Sequence, residues 1–292
     1  MRNCWCAKSK KISCPSDLSD AQWEVVAPVL RRAVGHSGHV PRREVLGAIF
    51  YVLRTGCQWR YLPQSYPNWK TVYSCFRRWS LSGAWDEIVA ALRVEVRYGQ
   101  GRKATPTAAV IDTQSVKTTE KGGHEVTTKR LRPRGYDGAK KLCGRKRVTL
   151  SDTQGNFLDA LVLPAHLDER VCALALLLHV KKQPWWRDVE VVFADSGFAG
   201  ADFERQIRNQ CQVKLHIVKR DPQAPPGFHV LFKRWIVEQL FGCWGRNRRL
   251  SRDYEQSPKL SRAMLQVASV HRFLRRLKPI PDEFPTFKYR YK

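Results

Sequence analysis

Residues 108–115 read Ala-Ala-Val-Ile-Asp-Thr-Gln-Ser, an apolar run that ends on an acid at Asp112. Such a run, without polar alternation, predicts a short strand buried on both faces. An ionised carboxylate after a buried strand costs free energy unless it is paired or ligates something. The pattern returns downstream, where Val189 to Ala194 predicts a second buried strand running into Asp195 in Ala-Asp-Ser-Gly.

Working outward from these two strands, Arg147 to Leu150, the turn at 152–156 and Phe157 to Leu163 predict a hairpin. Asp168 to Lys181 predicts a helix, and its stretch Val171 to Val180 is the longest apolar run in the chain. After Asp195 come a helix at Ala201 to Asn209, a strand at Val213 to Lys219 and a Pro-rich loop at Asp221 to Gly227. A helix from about Phe232 to Trp244 carries Glu238, and an amphipathic helix spans about Lys259 to Leu277. Strand, hairpin, helix, strand, helix, strand, helix is the element order of an α/β, mixed-sheet, RNase H-like fold. Residues 117–147, with eleven Lys or Arg against three acids, read as a basic loop.

The chain before Gly99 has a different rhythm. Ser19 to Gln22 fits a capping box, followed by Trp23, Val26, Val29 and Leu30 at helical spacing. Pro41 opens a second helix (Val45, Ile49, Val52, Leu53) that Gly56 is placed to stop. Asn68 caps a third, with Trp69, Val72, Tyr73, Phe76 and Trp79 on one side and Lys70, Ser74, Arg77 and Arg78 on the other. A fourth runs from about Trp85 to Val96. Short helices with a basic outer face suit an all-α, helix-turn-helix-like DNA-binding domain; a helical bundle with merely solvated lysines and arginines is the competing reading. The expected organisation is a basic extension at 1–14, a helical domain at 15–98, a linker at 99–106, an RNase H-like domain at 107–278 and a tail at 279–292.

A formal charge of +26 predicts a polyanionic partner, because basic side chains displace counterions condensed on a phosphate backbone. That property is shared by ribosomal, membrane-surface and nucleic-acid proteins, so it names a partner class and no activity. No stretch approaches the roughly 20 apolar residues of a membrane span. Met1 to Ile12 is polar and basic, unlike a secretory signal. Cys4, Cys6 and Cys14 lack a second metal-ligand pair, so reduced thiols fit better than a zinc site.

Asp112, Asp195 and Glu238 are the candidate catalytic and metal-ligating residues. Cutting a phosphodiester without a covalent enzyme intermediate requires an activated nucleophile and a stabilised leaving oxygen, which a pair of divalent ions supplies. Mg²⁺ takes oxygen ligands, and carboxylates from separate elements provide them. Taken singly, each acid has a plainer explanation: a cap or turn for the two aspartates, and pairing with Arg234 one turn earlier for Glu238. Their joint placement on three elements of a strongly basic chain favours the metal site. Asp152, Asp159 and Asp168 compete, but turns and a helix start account for them.

Several long segments then carry a resemblance. Asp20-Ala-Gln-Trp, Ile49-Phe-Tyr-Val-Leu-Arg-Thr-Gly-Cys-Gln-Trp-Arg60 and Trp69-Lys-Thr-Val-Tyr lie in the helical part. Asp112-Thr-Gln-Ser-Val-Lys-Thr-Thr-Glu-Lys-Gly-Gly123, Arg134 to Arg147, Ala194-Asp-Ser-Gly-Phe-Ala-Gly200 and Lys233 to Tyr254 lie in the rest. From about Leu18 to Leu277 the chain resembles the DDE transposases of bacterial insertion sequences, in particular insertion sequence family five. The resemblance implies that Asp112, Asp195 and Glu238 hold two Mg²⁺ (or Mn²⁺) ions, with Asp112 bridging. It implies cleavage and strand transfer on double-stranded DNA, at terminal inverted repeats and target, by a homodimer in the bacterial cytoplasm at the nucleoid. Arg234, Arg246, Arg248 and Arg249 are the expected phosphate contacts, with Lys140, Lys141, Arg145 and Lys146 beside them. Lys70, Arg77 and Arg78 are the candidates for end recognition.

The sequence departs from that pattern at four places. Leu231 and Gly245 stand where the wider superfamily carries Tyr and Lys around the Glu, Val148 where His is common, and His124 to Pro133 is an insertion. Two other functions compete with transposition: a catalytically decayed copy acting only as a DNA-binding repressor, and a host RNase H-like nuclease without a joining step.

Overall fold

The structure, a computed structural model, describes residues 14–35, 40–119, 134–218 and 234–279. The Pro-rich loop, the 124–133 insertion and Cys4 and Cys6 lie outside the described residues. Four helices come first: α1 (Asp20–Val34), α2 (Arg42–Thr55), α3 (Trp69–Ser82) and α4 (Ala84–Gly99). The Ser19–Gln22 capping box forms in both directions, and Asn68 Oδ1 accepts from Lys70 N at the start of α3. Gly56 ends α2 in the left-handed region at φ 71°, where a Cβ would also meet Arg248 at 3.0 Å. That close approach docks α2 on the turn following Glu238's helix.

The six strands are β1 (Ala108–Lys117), β2 (Gly135–Asp137), β3 (Leu142–Asp152), β4 (Phe157–Pro164), β5 (Val191–Ala194) and β6 (Lys214–Ile217). β1 lies inside a single mixed sheet. Along one edge it pairs antiparallel with β3, from Ala109–Asp152 to Lys117–Gly144; along the other it pairs parallel with β5, from Ala108–Val191 to Val110–Phe193. β5 continues parallel to β6, while β3 pairs antiparallel with β4 and, at its start, with β2. An antiparallel meander β1-β3-β4 joined through β1 to two parallel strands is an RNase H-like sheet. At Gly144 a Cβ would fall 1.9 Å from the Val116 carbonyl oxygen, so only glycine lets β3 lie this close to β1.

Three expectations need correction here. β1 does not end at Asp112 but runs on to Lys117, and Asp159 lies within β4 and not at a turn. Part of the expected basic loop is also ordered sheet, since β2 and the start of β3 fall inside residues 117–147. A charge-rich stretch reads as a loop because sequence does not show that its charges will be neutralised internally.

Helices α5 (Glu169–Val180) and α6 (Ala201–Cys211) cover one face of the sheet, packing on Ala109, Ile111, Val148, Leu150 and Val192. The other face receives α7 (Arg234–Gly245), which packs on β1 and β3, and α8 (Pro258–Leu277), which packs on β4. Helix α8 also packs against α1 to α4, and its Leu265, Val267, Val270 and Phe273 share one core with Leu46, Phe76 and Trp85. One apolar core thus crosses the segment expected to be a linker.

His271 of α8 stacks edge-on against Phe50, with ring centroids 4.9 Å apart. Burial, then Arg275 and Arg54, push its pKa down from 6.5 to about 3. The unfolded chain therefore takes up a proton below pH 6.5 that the folded chain refuses, and stability falls as pH drops through the window from 6.5 towards 3. Between pH 7.5 and 5 the native state should lose up to about 2 kcal/mol from this group. Urea unfolding of His271→Phe at the two pH values should show that part of the pH dependence gone; an unchanged slope refutes it.

Candidate functional site

Strand parity sets the site. Ala109 and Ile111 of β1 and Val192 and Ala194 of β5 face the α5–α6 core. The alternating positions, including Asp112 and Asp195, therefore face the side covered by α7. The last registered pair between these strands is Val110–Phe193. Two residues further along stand Asp112, within β1, and Asp195, the residue that follows β5. Both line one small cleft, together with Phe193, Val218 and Val237 of α7.

Asp195 is held by its local fold. Its Oδ1 accepts from Gly197 N at 2.9 Å, capping the 3₁₀ turn Ser196–Phe198, which fixes the carboxylate after the strand. Asp112 Oδ1 accepts from Thr113 N at 2.6 Å. On α7, Ile236, Val237, Leu240 and Trp244 are buried against the sheet, and Glu238 follows Val237 on the exposed side of that stripe. The structure thus brings the two aspartates to one cleft and sets Glu238 next to a residue lining it. Among the described residues no three His, Cys, Asp or Glu side chains gather into a ready metal cage.

Sequence reasoning overlooked a neighbouring acid. Thr113, on the opposite face of β1, donates through Oγ1 to Glu169 Oε1 at 2.8 Å. A Cβ on Gly197 would stand 2.8 Å from Glu169 Oε2 and 3.1 Å from Asp195 Oδ1, so this glycine lies between the two carboxylates. The available signal was the Asp168-Glu169 pair: Asp168 caps α5 by accepting from Arg170 N, which left Glu169 in the first turn without a local task. The other acids are structural. Asp152 is fully buried against Arg97 and Asp159 against Arg262. Asp137, held below the usual carboxylate range chiefly by the Ser115 hydroxyl, accepts from Lys140 N and so anchors the turn that presents Lys140 and Lys141.

The basic candidates divide sharply. Lys70, Arg77, Arg78, Lys140, Lys141, Arg246 and Arg248 are exposed. Arg145, Lys146 and Arg249 are buried on partners within the protein, which corrects the expectation that they contact phosphates. Arg145 is 1% exposed, donating to Asp253 Oδ2, the Glu255 carbonyl and the Gln256 carbonyl, each at 2.9 Å. Lys146 donates to the Leu167 carbonyl at 2.7 Å. Arg249 is bound by Glu255 at 2.7 Å and lies over the rings of Trp59 and Tyr254. β3 is an interior strand covered on both faces, so its basic side chains must find partners inside the protein. The Arg234 side chain lies outside the described residues.

No helix among the described residues is long and apolar enough to cross a membrane. Residues 18–89 match a family described as "Putative transposase of IS4/5 family". A protein of Burkholderia cepacia named "Insertion element IS402 uncharacterized 16.2 kDa protein" is 28% identical over 114 residues, covering 36% of this chain and 76% of that protein. No solved structure matches. Residues 103–272, more than half of the chain and the part that builds the mixed sheet and its acidic cleft, match the family described as "Transposase DDE domain". The chain therefore belongs to the DDE transposases of insertion sequences.

Proposed function

We propose that this transposase binds the terminal inverted repeats of its own element, cuts the strand there and joins the freed end to target DNA, with Asp112, Asp195 and Glu238 as its catalytic acids. The observation that carries the reading is the placement of Asp112 and Asp195 two residues beyond the last β1–β5 pair, in one cleft with α7. The donor set suits Mg²⁺ or Mn²⁺. It is all carboxylate oxygen, and Mg²⁺ keeps several waters and needs only one or two protein carboxylates. Two such ions, when bound, would supply polarisation of the nucleophile and stabilisation of the leaving oxygen.

The side chains divide the remaining work. Asp112 offers anionic oxygens from within β1 and Asp195 from the capped turn after β5, and Glu238 supplies a third from α7. In the first step a water oxygen bonds to phosphorus as the bond to the 3′ oxygen breaks. The water's proton is given up, the leaving oxygen gains one, and a 3′-OH and a 5′-phosphate result. In the second step that 3′-OH attacks a target phosphodiester in the same way. Exposed Arg246 and Arg248 follow directly on the helix of Glu238 and hold phosphates near the cut, Lys140 and Lys141 extend the track, and Lys70, Arg77 and Arg78 on α3 contact the end sequence. The division into a helical DNA-binding part at 15–98 and a catalytic part at 107–278 serves these two tasks. Two ends must be held together, so the active form is a homodimer on DNA, working at the nucleoid.

The test uses a duplex carrying one inverted repeat and its flank, incubated with the full chain. A 3′-OH at the element boundary and a joined product, both requiring Mg²⁺ or Mn²⁺ and lost with chelator, are the expected results. Binding with neither product would leave a repressor in place of an enzyme; cleavage without joining would leave a nuclease.

A further inference from the structure

A second concavity, of about 410 Å³, lies outside the carboxylate cleft. Trp59, Trp69, Tyr73 and Tyr254 line it together with Arg60 and Arg249. Its volume lies in the range of small-molecule pockets and is far too small for a duplex. The aromatic rings come from two distant parts of the chain, the α2–α3 region and the segment after Glu238's helix.

We infer that this pocket takes a single unstacked nucleobase from the DNA strand being processed, an inference that rests on the DNA-substrate reading above. Three observations lead there. First, flat groups surround the space: Arg60 lies 5.5 Å above the Trp69 ring, and Arg249 lies 5.8 Å from Trp59 and 5.3 Å from Tyr254. Rings and guanidinium planes both stack on bases, whatever the base. Second, the charge excludes the other usual guest of an aromatic cage, a cation. The one acid in the lining, Glu255, is already bound by Arg249, and Arg60 and Lys70 already stand over Trp69. A neutral base attached to a phosphate fits that field.

Third, the pocket is tied to the catalytic strand. Beyond β1, Thr118 bridges to Asp253, and Asp253 N donates to the Lys117 carbonyl at 2.9 Å. Tyr254 is the next residue. From Asp112 to Thr118 is roughly 20 Å of extended chain, a few nucleotides of a DNA strand. Arg145 locks the same segment onto β3 through Asp253 and the Glu255 and Gln256 carbonyls, which makes the pocket wall rigid. This is a use for buried Arg145 that does not require it to touch DNA.

The experiment compares two labelled six-nucleotide strands with equal phosphate counts, oligothymidylate and a fully abasic strand, by fluorescence anisotropy with the full-length protein. The wild type should prefer the base-bearing strand by about tenfold. Trp69→Ala and Tyr254→Ala should each bring that ratio close to one, with duplex affinity and its salt slope retained. Tyr254 is 39% exposed, so its variant keeps the test valid where Trp69→Ala fails to fold. Unchanged ratios in both variants overturn the inference. A wild type that binds duplex but shows no base preference overturns it while leaving the transposase reading intact, and a wild type that binds no DNA overturns both.

Discussion

Asp195→Asn should lower metal-dependent cleavage of an inverted-repeat duplex by at least about a thousandfold, equivalent to about 4 kcal/mol of transition-state stabilisation. The substitution removes one negative charge and a hard oxygen ligand but little else. The Asn side chain retains a carbonyl oxygen that can accept from Gly197 N, so the turn Ser196–Phe198 stays capped. Its melting temperature should accordingly stay within about 2 °C of the wild type, as for a half-buried polar exchange that keeps its hydrogen bond. Asp202→Asn is the control, because its side chain is 98% exposed on α6 and its loss raises the protein's positive charge equally. Wild-type cleavage by the Asp195 variant would remove this residue from the mechanism; loss of activity in both variants would point to the overall field.

The second large effect concerns folding. Asp152 ends β3 fully buried, ion-paired with Arg97 and accepting from Gln154 N, Asn156 N and Asn156 Nδ2. It also faces three further arginines, Arg93, Arg272 and Arg276. Burial holds the Arg93 guanidinium down at about 10, against the pull of Asp152 and Asp159. Asp152→Ala leaves this group of like charges without its central anion, although Arg97 still donates to the Lys103 and Thr105 carbonyls. The expected loss is about 4 kcal/mol by urea unfolding, typical of removing one partner from a buried pair. Asp20→Ala, which breaks the solvent-exposed Asp20–Arg43 pair, should cost less than about 0.5 kcal/mol. Comparable losses from the two variants would contradict the assignment of Asp152 as the electrostatic anchor of the β3–β4 turn.

Much of the architecture was legible because it follows from local rules. The Ser19–Gln22 box, Asn68, Gly56 and the apolar stripe of α3 act within a few residues of themselves, and all four appear where expected. The strand leading to Asp195 was equally plain, since Val192 and Ala194 must be buried and the acid after them needs a reason to be there. Less legible was the fate of the charged residues. Arg145, Lys146 and Arg249 look like phosphate contacts on a line of text, yet their partners Asp253, Leu167 and Glu255 are set by chain segments that meet only after folding. Glu169 shows the converse: its neighbours Thr113 and Gly197 are remote in sequence, and its one local mark was its place beside the capping Asp168.

From its residues alone this chain had the order of its elements, the basic character that suits a nucleic-acid partner, and an acid after each of two apolar strand segments, since period, capping and charge are properties of short windows. Tertiary structure decided which face each acid occupies, which arginines remain free for phosphates, and that α8 closes one core with the first four helices. Those outcomes depend on strand register and on desolvation, and both arise only when distant segments are packed against one another.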